Sequence, residues 1–376
     1  MNNILKPENN ESFKEFCHRV SSQRVELGYS WQDVADIVNQ YFKLDLTAEA
    51  CRKKESRYKE ELKFSPSEKY KLADQRTQIN ALQKRVAREE TLKEIAKEYA
   101  NSITSVYSFP IYERSNFVNT GKDSTLLISD WHYGIEENST FNVYNPEICR
   151  ERVTKLLNKV LDIIKKENLS HINILNLGDM VGGRIHLPLR LSSRIDVITQ
   201  TMDVSELIAQ FIYEISSRVE SVDYYSTLDN HSRIDPVVKD SLDLESLYRI
   251  TDWFLKERFS DFENIRFHNN VYGDDILTFK SLDYNIAAVH GHKDKPEKII
   301  DNLTLFTKTH YDMICSAHFH HFSCDEKNET VLVSNSSLMG TDDYARSLRL
   351  NSKPSQIMVI STPDNVCECI YKILLA

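Results

Sequence analysis

The chain has 376 residues, 41% of them apolar and 27% charged, with a formal net charge of -9. That length allows a large core and two or three domains. No apolar run is long enough to span a membrane, and the first 16 residues lack the basic start and apolar stretch of a secretory signal. These features exclude a membrane partner and point to a cytoplasmic protein.

Residues 1–64 read as a small helical domain. Asn10 is expected to cap a first helix with Phe13, Phe16, Cys17 and Val20 on its apolar face, and Gly28 to end it. Ser30-Trp31-Gln32-Asp33 has the form of a capping box opening a second helix, with Val34, Ala35, Ile37, Val38 and Tyr41 inward. Thr47 caps a third helix that carries Arg52, Lys53, Lys54 and Arg57. Two helices joined by a tight turn, the second one basic, form a helix-turn-helix pattern. It resembles the helix-turn-helix segments of phage and bacterial DNA-binding proteins, and those four basic residues are the expected DNA contacts. The charge is uneven in the same sense. Residues 1–100 hold 19 Lys+Arg against 17 Asp+Glu, and the other 276 hold 28 against 39. A local basic patch is enough to attract a phosphate backbone.

Residues 65–123 read as a helical connector and linker. Leu72, Ile79, Leu82, Val86, Leu92, Ile95 and Tyr99 recur at roughly helical spacing within 66–101. Such a helix would assist a homodimer. From residue 124 to 376, strand and helix patterns alternate, as in a layered α/β domain. Strands are expected at 125–129, 172–177, 222–228, 276–279, 284–289, 313–316, 330–334, 357–361 and 368–374. Helices are expected at 146–167, 195–219 and 242–259. Seven cysteines without paired spacing read as reduced thiols, and Cys367 and Cys369 are expected on one face of the last strand.

The chemistry-bearing residues follow the strands. Asp130-Trp131-His132, Gly178-Asp179, Asp229-Asn230-His231, His290 and His318-Phe319-His320 each come just after a short apolar run. This order places Asp, Asn and His at one end of a sheet. Oxygen ligands mixed with imidazoles suit divalent ions and metal-assisted hydrolysis of a phosphate ester.

Asp130-x-His132, Gly178-Asp179, Asn230-His231, His290 and His318-x-His320 resemble the five blocks of the calcineurin-like metallophosphoesterase superfamily over roughly 124–362. Residues 178–186, 230–233 and 337–345 resemble the phage-encoded branch related to SbcD-type DNA repair exonucleases. The resemblance implies a sandwich of two mixed sheets flanked by helices, here preceded by the small all-α domain. It implies two divalent ions, Mn2+ foremost, with Fe, Zn or Mg as alternatives. One ion would be held by Asp130, His132, Asp179 and His320. The other would be held by Asp179, Asn230, His290 and His318. Asp179 bridges because a carboxylate has two oxygens. His231 is the expected general acid, and His186 and Arg233 are the expected substrate contacts. The third block here has Asp229, and the last has Ala317, where the family commonly has Gly. Gly at such turns often supplies a positive φ, and Asp229 adds negative charge beside the metals.

The reading is a two-metal phosphodiesterase acting on DNA, a nuclease of phage or bacterial DNA processing in the (host) cytoplasm. Two alternatives stand beside it. One is a phosphatase or small-molecule phosphodiesterase. The other is a DNA-binding accessory protein with a weak or inactive phosphoesterase domain.

Overall fold

A computed structural model describes residues 6–62, 68, 71, 74–80, 83, 120–185, 193, 195–341, 345, 349 and 351–376. The chain divides into two compact units, 1–97 and 98–376.

In the first unit, helices α1 (Phe13–Ser22), α2 (Trp31–Phe42) and α3 (Ala48–Glu61) pack together around Phe16, Cys17, Val20, Val34, Ala35, Val38 and Cys51. The cap of α1 is Ser12, not Asn10. Its hydroxyl accepts from Glu15 N, and the Glu15 side chain returns to the Ser12 amide, a reciprocal box that Asn10 has no partner to form. Gly28 does not end this helix directly. The helix closes at Ser22, and a turn runs on to Gly28, which takes φ +69°. Ser30 and Asp33 form the expected box on α2. The turn between α2 and α3 is held by Asn39, whose side chain donates to Leu46 O and accepts from Leu46 N, both at 2.9 Å. Thr47 Oγ1 then accepts from Ala50 N to start α3. The helix expected over 66–101 lies mostly outside the described residues; those described within it are helical.

The second unit holds two mixed sheets. Its elements in order are β1 (Asp123–Ile128), β2 (Glu137–Asn138), β3 (Val143–Tyr144), α4 (Pro146–Glu167), β4 (His171–Asn176), α5 (Val197–Ser216), β5 (Ser221–Ser226), α6 (Tyr248–Arg258), β6 (Ile265–Phe267), β7 (Leu277–Ser281), β8 (Tyr284–Ala288), α7 (Ile299–Thr307), β9 (Met313–Ser316), β10 (Ser323–Lys327), β11 (Thr330–Ser334), β12 (Ser355–Thr362) and β13 (Asn365–Leu374). One sheet runs β13-β12-β1-β4-β5-β6, with β1, β4, β5 and β6 parallel. The other runs β10-β11-β9-β8-β7, with β11, β9 and β8 parallel. A small β2-β3 hairpin stands apart from both.

Alternation along the strands fixes the layers. Leu126 and Ile128 of β1 join the cluster under α4, α5 and α6, while Leu127 points the other way. Leu127 meets Leu175, Ile286, Ala288, Met313, Cys315 and Val333 between the two sheets. On the far side of the second sheet, Ala287, Ile314 and Leu332 pack under Ile299, Ile300 and Leu303 of α7. Strands buried on both faces read as unbroken apolar runs. The helices dock by one stripe. In α4 this is Cys149, Val153, Leu156, Val160, Ile163 and Ile164, opened by an Asn145 cap and Pro146 and closed by Asn168 at φ +52°.

Two local expectations change. The helix expected over 242–259 begins only at Tyr248, and residues 242–247 form an irregular loop in which Ser246 bridges to Arg233. Cys367 and Cys369 lie against different clusters, because the β12–β13 ladder shifts register between Ile360 and Thr362. None of the seven cysteines is in a disulfide. No described helix is long and apolar enough to cross a membrane.

A charged network ties the strand starts together. His171 Nδ1 lies 2.6 Å from Asp123 Oδ1 and its Nε2 2.8 Å from Asp223 Oδ2. Ser281 of the second sheet donates to Asp123 Oδ2, and Arg266 and His268 contact Asp223. Burial opposes the charge on His171, but its bonds to the two carboxylates outweigh it and raise the pKa to about 9. Burial likewise opposes the charge on Asp223, yet Arg266, His171 and His268 hold its carboxyl far below the usual range. The His171 contribution is therefore complete below its unfolded pKa of about 6.5 and is lost as pH rises through about 9. The Asp223 contribution is present above its unfolded pKa and lost as pH falls. His171→Gln is expected to cost about 2 kcal/mol at pH 6 and to flatten the alkaline limb of stability. Urea unfolding of both proteins from pH 5 to 10 measures this.

Candidate metal centre

Each residue of the motif series lies just past the C-terminal end of a parallel strand. Asp130 and His132 follow β1, Asp179 follows β4, and Asn230 and His231 follow β5. His290 follows β8, and His318 and His320 follow β9. The series does not come from one sheet, as expected from the sequence. The first three strands belong to one sheet and the last two to the other, so the site sits where both sheets end.

The backbone sets the loops before any side chain acts. The ladder between β1 and β4 continues past both strands, with Asp130 N donating to Gly178 O, His132 N to Asp179 O and Tyr133 N to Met180 O. Asp130, His132, Asp179, His318 and His320 all adopt positive φ, between 47° and 70°. Asp229 and Ala317 do not. Left-handed backbone occurs instead at His318, directly after Ala317, and at Gly178 (+92°) and Gly291 (+112°), which lie against Asp229 and Ala317.

The side chains form three groups whose ligand atoms lie within 4.8 Å of one another: Asp130, His132 and His320; His132, Asp179 and His231; and Asp179, His290 and His318. His132 Nε2 and His320 Nε2 are 3.2 Å apart, and His320 Nε2 is 3.3 Å from Asp130 Oδ1. His290 Nε2 is 3.1 Å from Asp179 Oδ2 and 2.9 Å from Asn230 Oδ1. Asp179 thus neighbours both ends of the cluster.

Asp130 and Asp179 each have one oxygen hydrogen-bonded to a donor of the fold. Asp130 is 0% exposed; its Oδ2 accepts from Ser129 Oγ at 2.5 Å, and Ser129 Oγ accepts from Asn335 Nδ2 at 2.8 Å. Asp179 is 1% exposed, and its Oδ1 accepts from His231 N at 3.0 Å. Asp130 Oδ1 and Asp179 Oδ2 have no regular hydrogen-bond partner among the described residues. Buried ionised oxygens are costly unless paired, and here their neighbours are convergent imidazole nitrogens, His320 Nε2 at 3.3 Å and His290 Nε2 at 3.1 Å. This donor set fits a divalent cation.

Charge states follow from packing. Burial opposes the charge on Asp179 and Asp130, but His290 and His231 hold the first well below the usual range, and His320 holds the second at about 2. Burial and the neighbouring His231 push His132 well below its ordinary value, and burial and His290 push His318 to about 4. Both rings are neutral at pH 7, as ligation requires. Burial opposes the charge on His290, but Asp179 outweighs it and raises the pKa to about 9.

Hydrogen bonds outside the cluster orient these rings. His290 Nδ1 is 2.7 Å from Leu177 O, and His231 Nδ1 is 2.8 Å from Gly182 O. Each ring therefore donates from Nδ1 and turns Nε2 toward the cluster. Asp229 is buried, with Oδ1 accepting from Ser232 N at 2.6 Å and Oδ2 from Ser232 Oγ at 2.8 Å. It folds the turn that presents Asn230 and His231. Burial and the nearby Asp179 raise its pKa to about 7.

Arg233 is half-buried in a bridge with Ser246, and its Nε has no partner among the described residues. His186 lies outside the described residues. Arg52, Lys53, Lys54 and Arg57 are exposed on α3; Lys53 pairs with Glu49 at 2.7 Å, and the Lys54 ammonium sits 5.1 Å from the Phe13 ring centre.

Several positioning residues escaped the sequence reading. Gln200 of α5 is buried; its Oε1 accepts from Gly183 N, and its Nε2 donates to Ser193 Oγ and Ile195 O. Asn335 and Ser337 also act on the first loop, Ser337 Oγ donating to Asp130 O. The available signal was Asn335-Ser336-Ser337 directly after the apolar β11, the same pattern that marked the other loops.

No family model matches the chain. An uncharacterized protein derived from the SPbeta prophage of Bacillus subtilis strain 168, YonJ, is 24% identical over 381 residues, covering 93% of each protein. Among solved structures, an archaeal phosphodiesterase is similar at TM-score 0.36 and 13% identity, covering 67% of this chain and 99% of that one. Zinc-bound Vps29 of Entamoeba histolytica is similar at TM-score 0.33 and 10% identity, covering 66% and 96%. A Streptococcus pneumoniae protein described as a predicted phosphoesterase is similar at TM-score 0.28 and 10% identity, covering 67% and 98%.

A Cβ on Gly183, which has φ +72°, would lie 2.1 Å from His231 O. Gly121 has nearly the same φ, +73°, with its nearest neighbour at 4.0 Å. Both Ala variants incur backbone strain of about 1–2 kcal/mol. Gly183→Ala is expected to lose clearly more, because His231 must move. Thermal unfolding of the two variants gives the comparison.

Proposed function

We propose that this chain is a two-metal phosphodiesterase acting on DNA. The observation that carries the reading is the convergence of two buried carboxylate oxygens, Asp130 Oδ1 and Asp179 Oδ2, with imidazole nitrogens from both sheets. Asp130, His132, Asp179 and His320 would hold one ion, and Asp179, Asn230, His290 and His318 the other, with Asp179 shared between them. When bound, such a pair supplies Lewis acidity for in-line attack of water on phosphorus.

The chain's own groups have distinct tasks. Ser129 and Asn335 fix the direction of Asp130, and the His231 amide fixes Asp179. Leu177 O selects the His290 tautomer that leaves Nε2 as the ligand atom. His231 Nδ1–H is held by Gly182 O, which turns Nε2 toward the cluster; in the imidazolium form that nitrogen would pass its proton to the departing oxygen. Arg233, just beyond that turn, would contact a phosphate. The exposed bases of α3 would contact the DNA backbone, and the likeness to a prophage-derived protein supports a phage DNA-processing role. Manganese is the first ion to test.

Asp179→Ala removes the shared ligand. Partners that only orient a ligand are worth about 10–100-fold in metal affinity, so this variant is expected to lose at least about 100-fold in Mn2+-dependent cleavage. If wild type with Mn2+ leaves single- and double-stranded DNA as intact as Asp179→Ala does, the reading is wrong. Combined replacement of Arg52, Lys53, Lys54 and Arg57 by Ala should weaken DNA binding and lower its salt slope by about 3–4. Turnover of a small phosphodiester should stay unchanged.

A further inference from the structure

A cavity of about 500 Å3 opens beside the candidate centre. His290 and His292 line it, and His290 also belongs to the metal cluster, so the cavity adjoins the cluster at that residue. Ile276, Val289 and Leu303 form its apolar wall. Leu305 and Phe306 of α7, 76% and 67% exposed, stand at its rim. The volume and the mix of apolar wall and few polar groups match a small-molecule site.

We propose that this cavity receives one nucleobase adjoining the scissile phosphate, with Phe306 as its stacking surface. The inference rests on the phosphodiesterase reading and names the substrate group that the pocket selects. Its electrostatics exclude a second phosphate. The one ammonium on the wall, Lys293, is neutralised by Asp243 at 3.2 Å and Asp275 at 3.0 Å. Asp294, also on the wall, accepts from Asn302 at 2.7 Å. A neutral ring suits such a lining. The Asn302 amide also offers a donor and an acceptor to a base edge. His292 Nδ1 is buried without a hydrogen-bond partner among the described residues, a further polar atom on the wall next to the centre. An exposed aromatic face beside a phosphate-hydrolysing centre is the usual means of holding a base without reading its sequence.

Phe306 is largely exposed, so Phe306→Ala leaves the core intact. The test compares two esters that differ only in the nucleoside, thymidine 5′-(4-nitrophenyl phosphate) and methyl 4-nitrophenyl phosphate, both with Mn2+. The variant is expected to lose about tenfold in kcat/KM on the thymidine ester and to match wild type on the methyl ester. Equal loss or no loss on both overturns the proposal. A second readout needs neither metal nor turnover. Saturation-transfer NMR with free thymidine should show contact to wild type that Phe306→Ala abolishes. If wild type hydrolyses neither ester, the phosphodiesterase reading fails, and the NMR contact decides the pocket by itself. Absence of any thymidine contact, with self-association that Phe306→Ala removes, assigns the rim to a second copy and overturns the proposal.

Discussion

Asp130 and Asp179 carry negative charge into a region that water does not reach. Each spends one oxygen on a donor from its own fold, and each leaves the other facing histidines. A buried charge is tolerated only when paired and hydrogen-bonded. The loops around these two carboxylates are built to that demand. Left-handed backbone at Asp130, His132, Asp179, His318 and His320 costs about 1–3 kcal/mol at each position. It persists because the sheets below and the paired loops on either side leave the chain no other course. A cation among these groups would relieve the charge, and the strain keeps the donors convergent before it arrives.

The two-sheet arrangement matters because neither sheet supplies the whole set. The β1, β4 and β5 loops bring both carboxylates, and the β8 and β9 loops bring three of the imidazoles. The apolar layer around Leu127, Ile286 and Met313 therefore sets the spacing of the ligands as well as the stability of the domain. At the opposite strand ends, Asp123 and Ser281 join the same two sheets through a polar contact. Packing in the middle and a charged network at the base hold the distance on which the site relies.

Much of this was legible in the sequence. Strands buried on both faces, such as Met313–Ser316 and Thr330–Ser334, are short apolar runs with abrupt ends, and α4 declares itself by Asn145, Pro146 and a regular stripe. The motif residues were legible because each follows such a run. What escaped detection had a different physical character. Strand β10, Ser323–Lys327, is an exposed edge whose SCDEK sequence has no apolar alternation. Helix α7 has nine residues, too short for its period to stand out. Gln200 and Asn335 act through bonds to backbone that is distant in sequence, which no local spacing records. The direction of the Asp179 carboxylate depends on the His231 amide, 52 residues away.

The position of β1 has a consequence for the order in which the chain is made. Its partners are β4, nearby in sequence, and β12, near the other end. Ser129, which holds Asp130, donates its amide to Gln356 Oε1 across 227 residues. A ribosome-bound chain that has released β1, β4 and β5 still presents β1 as an unpaired edge. The first metal loop remains untethered at Ser129 until synthesis reaches β12. Completion of the centre is thereby coupled to synthesis of β12, and a product cut short before residue 355 would lack both the edge cover and the anchor.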